Sequence, residues 1–410
     1  MTALILSGLV LFFALAVYRR EWGVYLTVLL LPAYQIRFSV GFLPLTFLES
    51  AVLLLGLVQI IDLTRRRAWR EALKNLTRSP ASAAFAGLFL LAAFLSIFTG
   101  PSLVKAAGIF KAYFFEAVLF SALVILIIDT REKLSRLIQC IALLVAYLSV
   151  FGIYQFLTLH NLPTSWWAVN VASRRITSLL NHPNALALLL GPSLAFLVFV
   201  RKNRLVWAVL PLGAIAMYLS FSRAAWLALL VGVVIVGLFT EHRNRILLAS
   251  AAAALLILSV PYSRQKLVEL SFGADPSREN RLVLWSAAAD ILKKSPLFGA
   301  GLTGFREEYQ SYPLGPDRVV QNYPHNFFLN FWLETGLLGM LAITALIFLF
   351  YKRLVTLWRH EEFKNLTLGM AAAMAMILLH GMVDVPYFKN DLAVAFWMLF
   401  ALPYLKFLPS

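Results

Sequence analysis

The stretch SRENRLVLWSAAADILKKSPLFGAGLTGFREEYQSYPLGPDRVVQNYPHNFFLNFWLETGLLG, residues 277–339, is read first. It begins in polar sequence and ends inside an apolar run, so the chain passes here from water to membrane. It belongs to the longest interval between apolar runs. Arg278, Arg281, Lys293, Lys294, Arg306 and Arg318 supply cationic donors, and His325 and Asn326 stand at the mouth of the next apolar run. From Arg281, the residues Trp285, Ala288, Ala289 and Leu292 recur at helical spacing, which predicts an amphipathic helix that Arg281 opens.

Outward from this stretch the chain is apolar. Of its 410 residues, 61% are hydrophobic and 14% charged. A soluble protein of this size could not hide so much apolar surface. Many runs reach the roughly 17 to 25 residues that cross a bilayer, and a helix satisfies its own backbone groups in lipid. The fold class is therefore all-α, a polytopic membrane protein in one membrane domain over residues 1–410. The formal charge of +16 does not indicate nucleic acid, because most basic residues lie in short loops between apolar runs, as the positive-inside bias requires. The single cysteine, Cys140, lies within an apolar run, so neither a disulfide framework nor a thiolate metal site is expected.

In chain order, residues 2–18 read as a retained anchor, since their charge, Arg19-Arg20, follows the apolar run. A short stretch at 22–36 is broken by Pro32. Spans are expected at 45–63, 81–99, 113–129, 138–157, 184–200, 205–221, 224–240, 246–262, 326–350, 366–383 and 391–407. The total is twelve or thirteen, depending on residues 1–40. The basic loops 64–79, 131–136, 201–204 and 241–245 face the cytoplasm. A smaller loop, 158–183, and a large loop, 263–324, face outward. The large loop carries eight Lys/Arg against seven Asp/Glu, a balance that fits a translocated segment.

This topology sorts the titratable groups. His242 and His360 fall in cytoplasmic loops and read as solvated, whereas His160, His182, His325 and His380 fall at the outer face. His325, between Pro324 and Asn326, borders water and membrane together; it is either a helix cap or a general base. Arg223 begins a span, where a charge is costly without a partner, so it either snorkels to lipid phosphate or serves a site. Arg281 and Arg175 are the other outer guanidiniums, and Arg175 reads equally as a plain loop charge. His380 and Asp384, four residues apart, could hydrogen-bond. Glu49 and Glu116 lie in apolar runs, as in ion-conducting paths or in pairs with a buried partner. Glu334 reads as a helix-packing residue. The match of Gly299-Ala-Gly-Leu-Thr-Gly304 to a dinucleotide fingerprint lacks the preceding strand and the βαβ unit, so its glycines read as a turn. No Asp-x-Asp pair is present to hold a divalent cation.

Several blocks, taken in order, carry a resemblance. Arg281, Trp285, Pro296-Leu-Phe-Gly-Ala-Gly301, His325-Asn326 and Glu334-Thr-Gly-Leu-Leu-Gly339 resemble the signature of the O-antigen ligase and polymerase superfamily. Arg175-Ile-Thr177 with Pro183-Asn184, and Ser222-Arg223-Ala224, resemble two further blocks. The similarity runs from Arg174 to Gly339. It implies a metal-independent glycosyltransferase of a bacterial inner membrane, with no cofactor and its site on the periplasmic face. The implied donor is a glycan on undecaprenyl pyrophosphate. The acceptor is a lipid A core sugar for a ligase in lipopolysaccharide biosynthesis, or a second lipid-linked glycan for a polymerase. His325 would be the catalytic base. Arg223, Arg281 and Arg175 would bind the pyrophosphate, because the planar guanidinium matches phosphate oxygens in pairs. Asn326, Asn184 and Glu334 would support them. A flippase for lipid-linked oligosaccharides is the reading from another class, and Glu49 and Glu116 are its main support.

Overall fold

The computed structural model describes residues 2–41, 43–168, 171–200, 204–260, 264–265, 268, 276–312 and 320–409. Arg318, the loop residues 201–203 and much of 261–275 lie outside the described residues. The chain is helical, as its composition requires. Among the described residues the only strands form one antiparallel hairpin, β1 (Arg37–Val40) with β2 (Leu43–Thr46), which sequence reading did not anticipate.

The helices in order are α1 (Thr2–Tyr18), α2 (Arg20–Leu29), α3 (Phe47–Arg65), α4 (Trp69–Leu76), α5 (Pro80–Thr99), α6 (Leu103–Ile127), α7 (Arg131–Thr158) and α8 (Pro183–Phe199). There follow α9 (Arg204–Leu219), α10 (Arg223–Gly237), α11 (Arg243–Ser259), α12 (Pro276–Lys294), α13 (Gly304–Gln310), α14 (Phe327–Trp358), α15 (Lys364–Gly381) and α16 (Asn390–Ala401). Six segments among the described residues are long and apolar enough to cross a bilayer: α3, α5, α6, α7, α14 and Glu361–Gly381, which contains α15. Four shorter apolar helices, α1, α8, α9 and α10, stand at the lower end of the spanning length. These make ten among the described residues, and the expected twelve is reached only if α11 and the twelve-residue α16 are also counted. The stretch 22–36 is not a span, because α2 has ten residues and gives way at Pro32 to a 3₁₀ turn, Leu31–Gln35. The loop at 64–79 is itself partly helical, through α4.

The chain divides into two compact units. The first comprises residues 1–141, 286–361 and 385–410. Within it α5 packs along α14 and α6 along α16. Its centre is aromatic: the Phe89 ring lies 5.3 Å from Phe114, 5.7 Å from Phe331 and 5.7 Å from Trp397. The second unit comprises residues 142–285 and 362–384, where α15 packs on α8 and α10, and α9 lies against α8.

A break in α14 is the first unit's main irregularity. Gly336 has φ +68° and ψ 179°, outside helical geometry. The Leu337 N–H therefore donates not to Leu333 but to the Leu297 carbonyl, at 2.9 Å. The Leu333 carbonyl so released accepts from Ala300 N–H at 2.7 Å and Gly301 N–H at 3.1 Å. The segment 296–304 thus fills the gap, backbone to backbone. On its other side Leu302 N–H donates to the Ser96 carbonyl, left over at the end of α5. Gly299 and Gly301 both have positive φ, and a Cβ on either would meet backbone at 2.3–2.4 Å. The glycines of the would-be nucleotide fingerprint are thus packing glycines. Glu334 adds a polar clamp, its Oε2 accepting from Thr303 N–H at 2.7 Å.

The two carboxylates in apolar runs have local partners. Lys111 Nζ lies 3.1 Å from Glu49 Oε1 and 3.8 Å from Glu116 Oε1, and it donates to the Pro44 carbonyl. Glu49 also closes a capping box with Thr46 at the start of α3. Lys111 sits in a π-helical turn of α6, Phe110–Phe115, whose extra residue per turn shifts the register of its side chains.

The break in α14 gives a direct test. A Cβ at Gly336 would stand 2.5 Å from the Leu297 carbonyl oxygen, at a backbone conformation that is essentially glycine-only. Gly336→Ala is expected to lose at least about 1–3 kcal/mol of stability. Gly87→Ala, where an added Cβ meets nothing within 4 Å, is expected to be neutral or slightly stabilising. Thermal unfolding in detergent reads both, and equal midpoints for wild type and Gly336→Ala would contradict the account of the break.

Candidate functional site

The second unit contains a cavity of about 340 Å³ that gathers most of the outer-face candidates from the sequence. Arg175, Asn184, Arg223 and Arg281 all line it. So do Ser222, Ser277, His380 and Asp384, while Leu227, Ala228 and Val231 of α10 form an apolar wall.

Each guanidinium is placed by a different element. Arg175 lies in the loop between α7 and α8, and Gln155 of α7 holds that loop. The Gln155 Oε1 accepts from the Thr177 and Ser178 N–H groups at 3.2 and 2.7 Å. Its Nε2 donates to the Asn161 and Ser178 carbonyls, both at 2.9 Å. Gln155 is fully buried, and one side chain thus supplies partners to four loop backbone groups. Arg175 itself donates from Nε to the Ser220 carbonyl at 2.9 Å and from Nη2 to Asn184 Oδ1 at 2.8 Å. Its guanidinium lies over the Trp166 ring, 5.2 Å from the centroid, a cation–π contact.

Asn184 stands in the first turn of α8 and joins Arg175 to Asp384, donating from Nδ2 to Asp384 Oδ2 at 3.4 Å. His182, the N-cap of α8, accepts from Asn184 N–H at 3.0 Å, while Pro183 occupies N1. His182 is therefore a structural cap. Arg223 is the first residue of α10, after the turn at Phe221, which has φ +49°. Arg281 lies more than a turn inside α12, which begins at Pro276 and not at Arg281 as the spacing predicted. It donates from Nε to the Val383 carbonyl at 2.8 Å and from Nη1 to Ser277 Oγ at 3.0 Å. The buried stripe of α12 is Leu284, Ala287, Ala288, Ile291 and Leu292; Ala289, expected in the stripe, is exposed.

His380 and Asp384 complete the cavity, but not as the hydrogen-bonded pair that their spacing allowed. Nε2 and Oδ2 stand 3.9 Å apart, beyond hydrogen-bond range. Both ring nitrogens of His380 are buried and lack a hydrogen-bond partner among the described residues. The sequence does not single out Gln155, which acts through tertiary contacts, and it offers Asp384 only as a partner for His380, not for Asn184.

The remaining candidates belong to the first unit. His325 has φ +50° and is partly exposed. The cap of α14 is its neighbour Asn326, whose Oδ1 accepts from Leu329 N–H at 3.1 Å. Glu334 sits at the break in α14 and clamps Thr303, in keeping with a packing role. Two residues before His325, the partly exposed Tyr323 lies near Tyr113, and desolvation drives its phenol pKa well above the ordinary value. Earlier in the large loop, hydrogen bonds from Lys293 and then Tyr312 hold the Asp290 carboxyl below the ordinary range, tying the end of α12 to the segment after α13. His160, His242 and His360 are exposed. Among the described residues no three His, Cys, Asp or Glu side chains converge in a geometry that could hold a metal ion.

Gln155 gives the second test. Gln155→Leu keeps the volume but removes the side-chain partner of the buried Thr177 and Ser178 N–H groups, each costing about 1–3 kcal/mol if left unsatisfied. Amide exchange in 158–183 is expected to speed up markedly while exchange in α8 changes little. Unchanged protection in the loop would show that other contacts hold it.

Comparison with known proteins bears on this arrangement. Residues 208–344 match the family model described as O-antigen ligase. The match spans about a third of the chain and includes Arg223, Arg281, His325, Asn326 and Glu334. No curated protein matches the chain at a significant level. The blocks read from the sequence and this match agree: residues 208–344 are similar to the O-antigen ligase family, within an all-α, multi-pass membrane chain.

Proposed function

We propose that this protein is an O-antigen ligase: a membrane enzyme that moves a glycan from undecaprenyl pyrophosphate to a hydroxyl of a lipid A core sugar. The observation that carries the reading is the cavity in which Arg175, Arg223 and Arg281 meet beside an apolar wall. Three guanidiniums suit the two phosphates of a pyrophosphate, which carry its charge in closely spaced oxygens. The wall of Leu227, Ala228 and Val231 suits the first isoprene units of a polyprenyl chain. A polymerase would use the same donor head group with a second lipid-linked glycan as acceptor.

In this reading the acceptor oxygen attacks the anomeric carbon and the bond from that carbon to the pyrophosphate breaks. Negative charge grows on the leaving phosphates, where the guanidiniums stabilise it without a metal ion. The acceptor proton passes to a general base, which the motif assigns to His325. Asn326 supports that base by fixing the start of α14, and Asn184 supports Arg175 by fixing its fork. The site would open to the periplasmic face of the bacterial inner membrane, since the charge bias keeps the basic loops in the cytoplasm. The carboxylates that favoured a flippase are accounted for by Lys111 and by the capping box.

A reconstituted assay with lipid-linked glycan and purified acceptor tests the roles. Arg223→Lys and Arg281→Lys are expected to recover only part of the transfer lost in the alanine variants, because an ammonium cannot make the paired contact. Removal of either guanidinium is expected to cost about 2.7–4 kcal/mol of transition-state stabilisation. His325→Ala is expected to lower turnover by about 10²–10⁴-fold with donor binding intact. Near-normal turnover of His325→Ala, with loss in His380→Ala, would move the base to the histidine that lines the cavity. Full activity of both lysine variants would remove the arginines from the mechanism.

A further inference from the structure

A second cavity, of about 240 Å³, lies within the first unit where α1 ends, α2 begins and α3 ends. Arg19, Arg20, Arg65 and Arg66 line it, and its two acids are Glu21 and Asp62. Asp62 is already committed twice: Oδ2 lies 2.6 Å from Arg20 Nη1 and Oδ1 lies 2.8 Å from Arg66 Nε. Arg20 is further fixed by Gln59 Oε1 at 2.9 Å. Those two arginines are braces of the wall.

The other two are held less firmly. Arg19 reaches Glu21 only at 3.9 Å, half exposed, and otherwise leans over the ring of Tyr18. The Arg65 guanidinium has no ion pair or hydrogen bond among the described residues. The N-terminus of α2 also lies here. Arg19 at its N-cap makes no side-chain capping bond, and Glu21 is the one acid in the first turn. Above the cations the surface turns apolar: Val17 is 57% exposed, Ile61 37%, Ile60 51% and Leu57 47%. Below them, α4 is amphipathic and leaves Trp69 and Leu73 exposed beside Arg70. A cationic cleft between an acyl-chain surface and an interfacial helix is the arrangement of a lipid head-group site.

We infer that this cleft binds the phosphate of an anionic glycerophospholipid, with Arg19 and Arg65 as its charged ligands. By the charge bias of the loop 64–79 it does so in the cytoplasmic leaflet. The inference is independent of the chemistry proposed for the second unit, because none of these residues lines the arginine cavity there.

The test is native mass spectrometry of the full chain released from detergent after titration with phosphatidylglycerol, with phosphatidylcholine as the neutral comparison. Wild type is expected to retain phosphatidylglycerol selectively. Arg19→Gln and Arg65→Gln are each expected to weaken it about fivefold and the double variant on the order of twentyfold, with the thermal midpoint unchanged. Arg245→Gln, in the exposed basic first turn of α11, is expected to have no effect. Equal retention of the two lipids would overturn the inference, as would an unchanged double variant or an equal loss in Arg245→Gln. Displacement of phosphatidylglycerol by millimolar glycerol 3-phosphate would show a soluble phosphate site and overturn the lipid assignment. Resistance to that displacement supports it.

Discussion

A break in an apolar helix releases backbone N–H and C=O groups that lipid cannot satisfy, so something from the protein must meet them. This constraint governs how the polar segments of the chain are attached. At Gly336 the released Leu333 carbonyl and the Leu337 N–H are both taken by the segment 296–304. At the loop 158–183 the same need is met by a side chain, Gln155, which serves four backbone groups at once. Neither segment is an appendage, since each completes the hydrogen bonding of the helices it adjoins.

That attachment has a chemical consequence in the second unit. Arg175 is only as well placed as the loop that carries it, and that loop is pinned by Gln155 from α7 and by the Ile176 N–H to the Leu219 carbonyl. Asn184 then turns a single arginine into a chain, from Arg175 through the amide to Asp384. Arg223 enters as the first residue of α10 and Arg281 from α12. Guanidiniums from three separate elements converge on one cavity, and those of Arg175 and Arg281 are fixed by protein partners. In the proposed reading those two forks are oriented before the pyrophosphate arrives, which would lower the ordering cost of binding.

Much of this was legible in the sequence. Composition set the fold class, and apolar runs located most helices to within a few residues. The three arginines were singled out by a span boundary, a helical stripe and a loop motif. What escaped was what one chain position cannot show. The stripe of α12 turned out to run through Ala287 and Ile291 and to exclude Ala289, because the neighbours that bury it come from elsewhere in the chain. His380 and Asp384 looked like a local pair, yet Asp384 is drawn to Asn184, two hundred residues earlier. Residues 22–36 had nearly the apolar content of a span, but Pro32 and a hairpin end them early. The glycines at 299 and 301 were read correctly as turn residues, though the surfaces that demand them, on α5 and α14, carry no local signal.

The account stands most directly on where the donor's phosphates lie. The decisive measurement is a cryo-electron microscopy structure of the full chain bound to undecaprenyl pyrophosphate. The account predicts phosphate oxygens about 2.7–2.9 Å from guanidinium nitrogens of at least two of Arg175, Arg223 and Arg281, with the first isoprene units against Leu227 and Val231. A head group bound elsewhere, with these three arginines keeping only their protein partners, would contradict it.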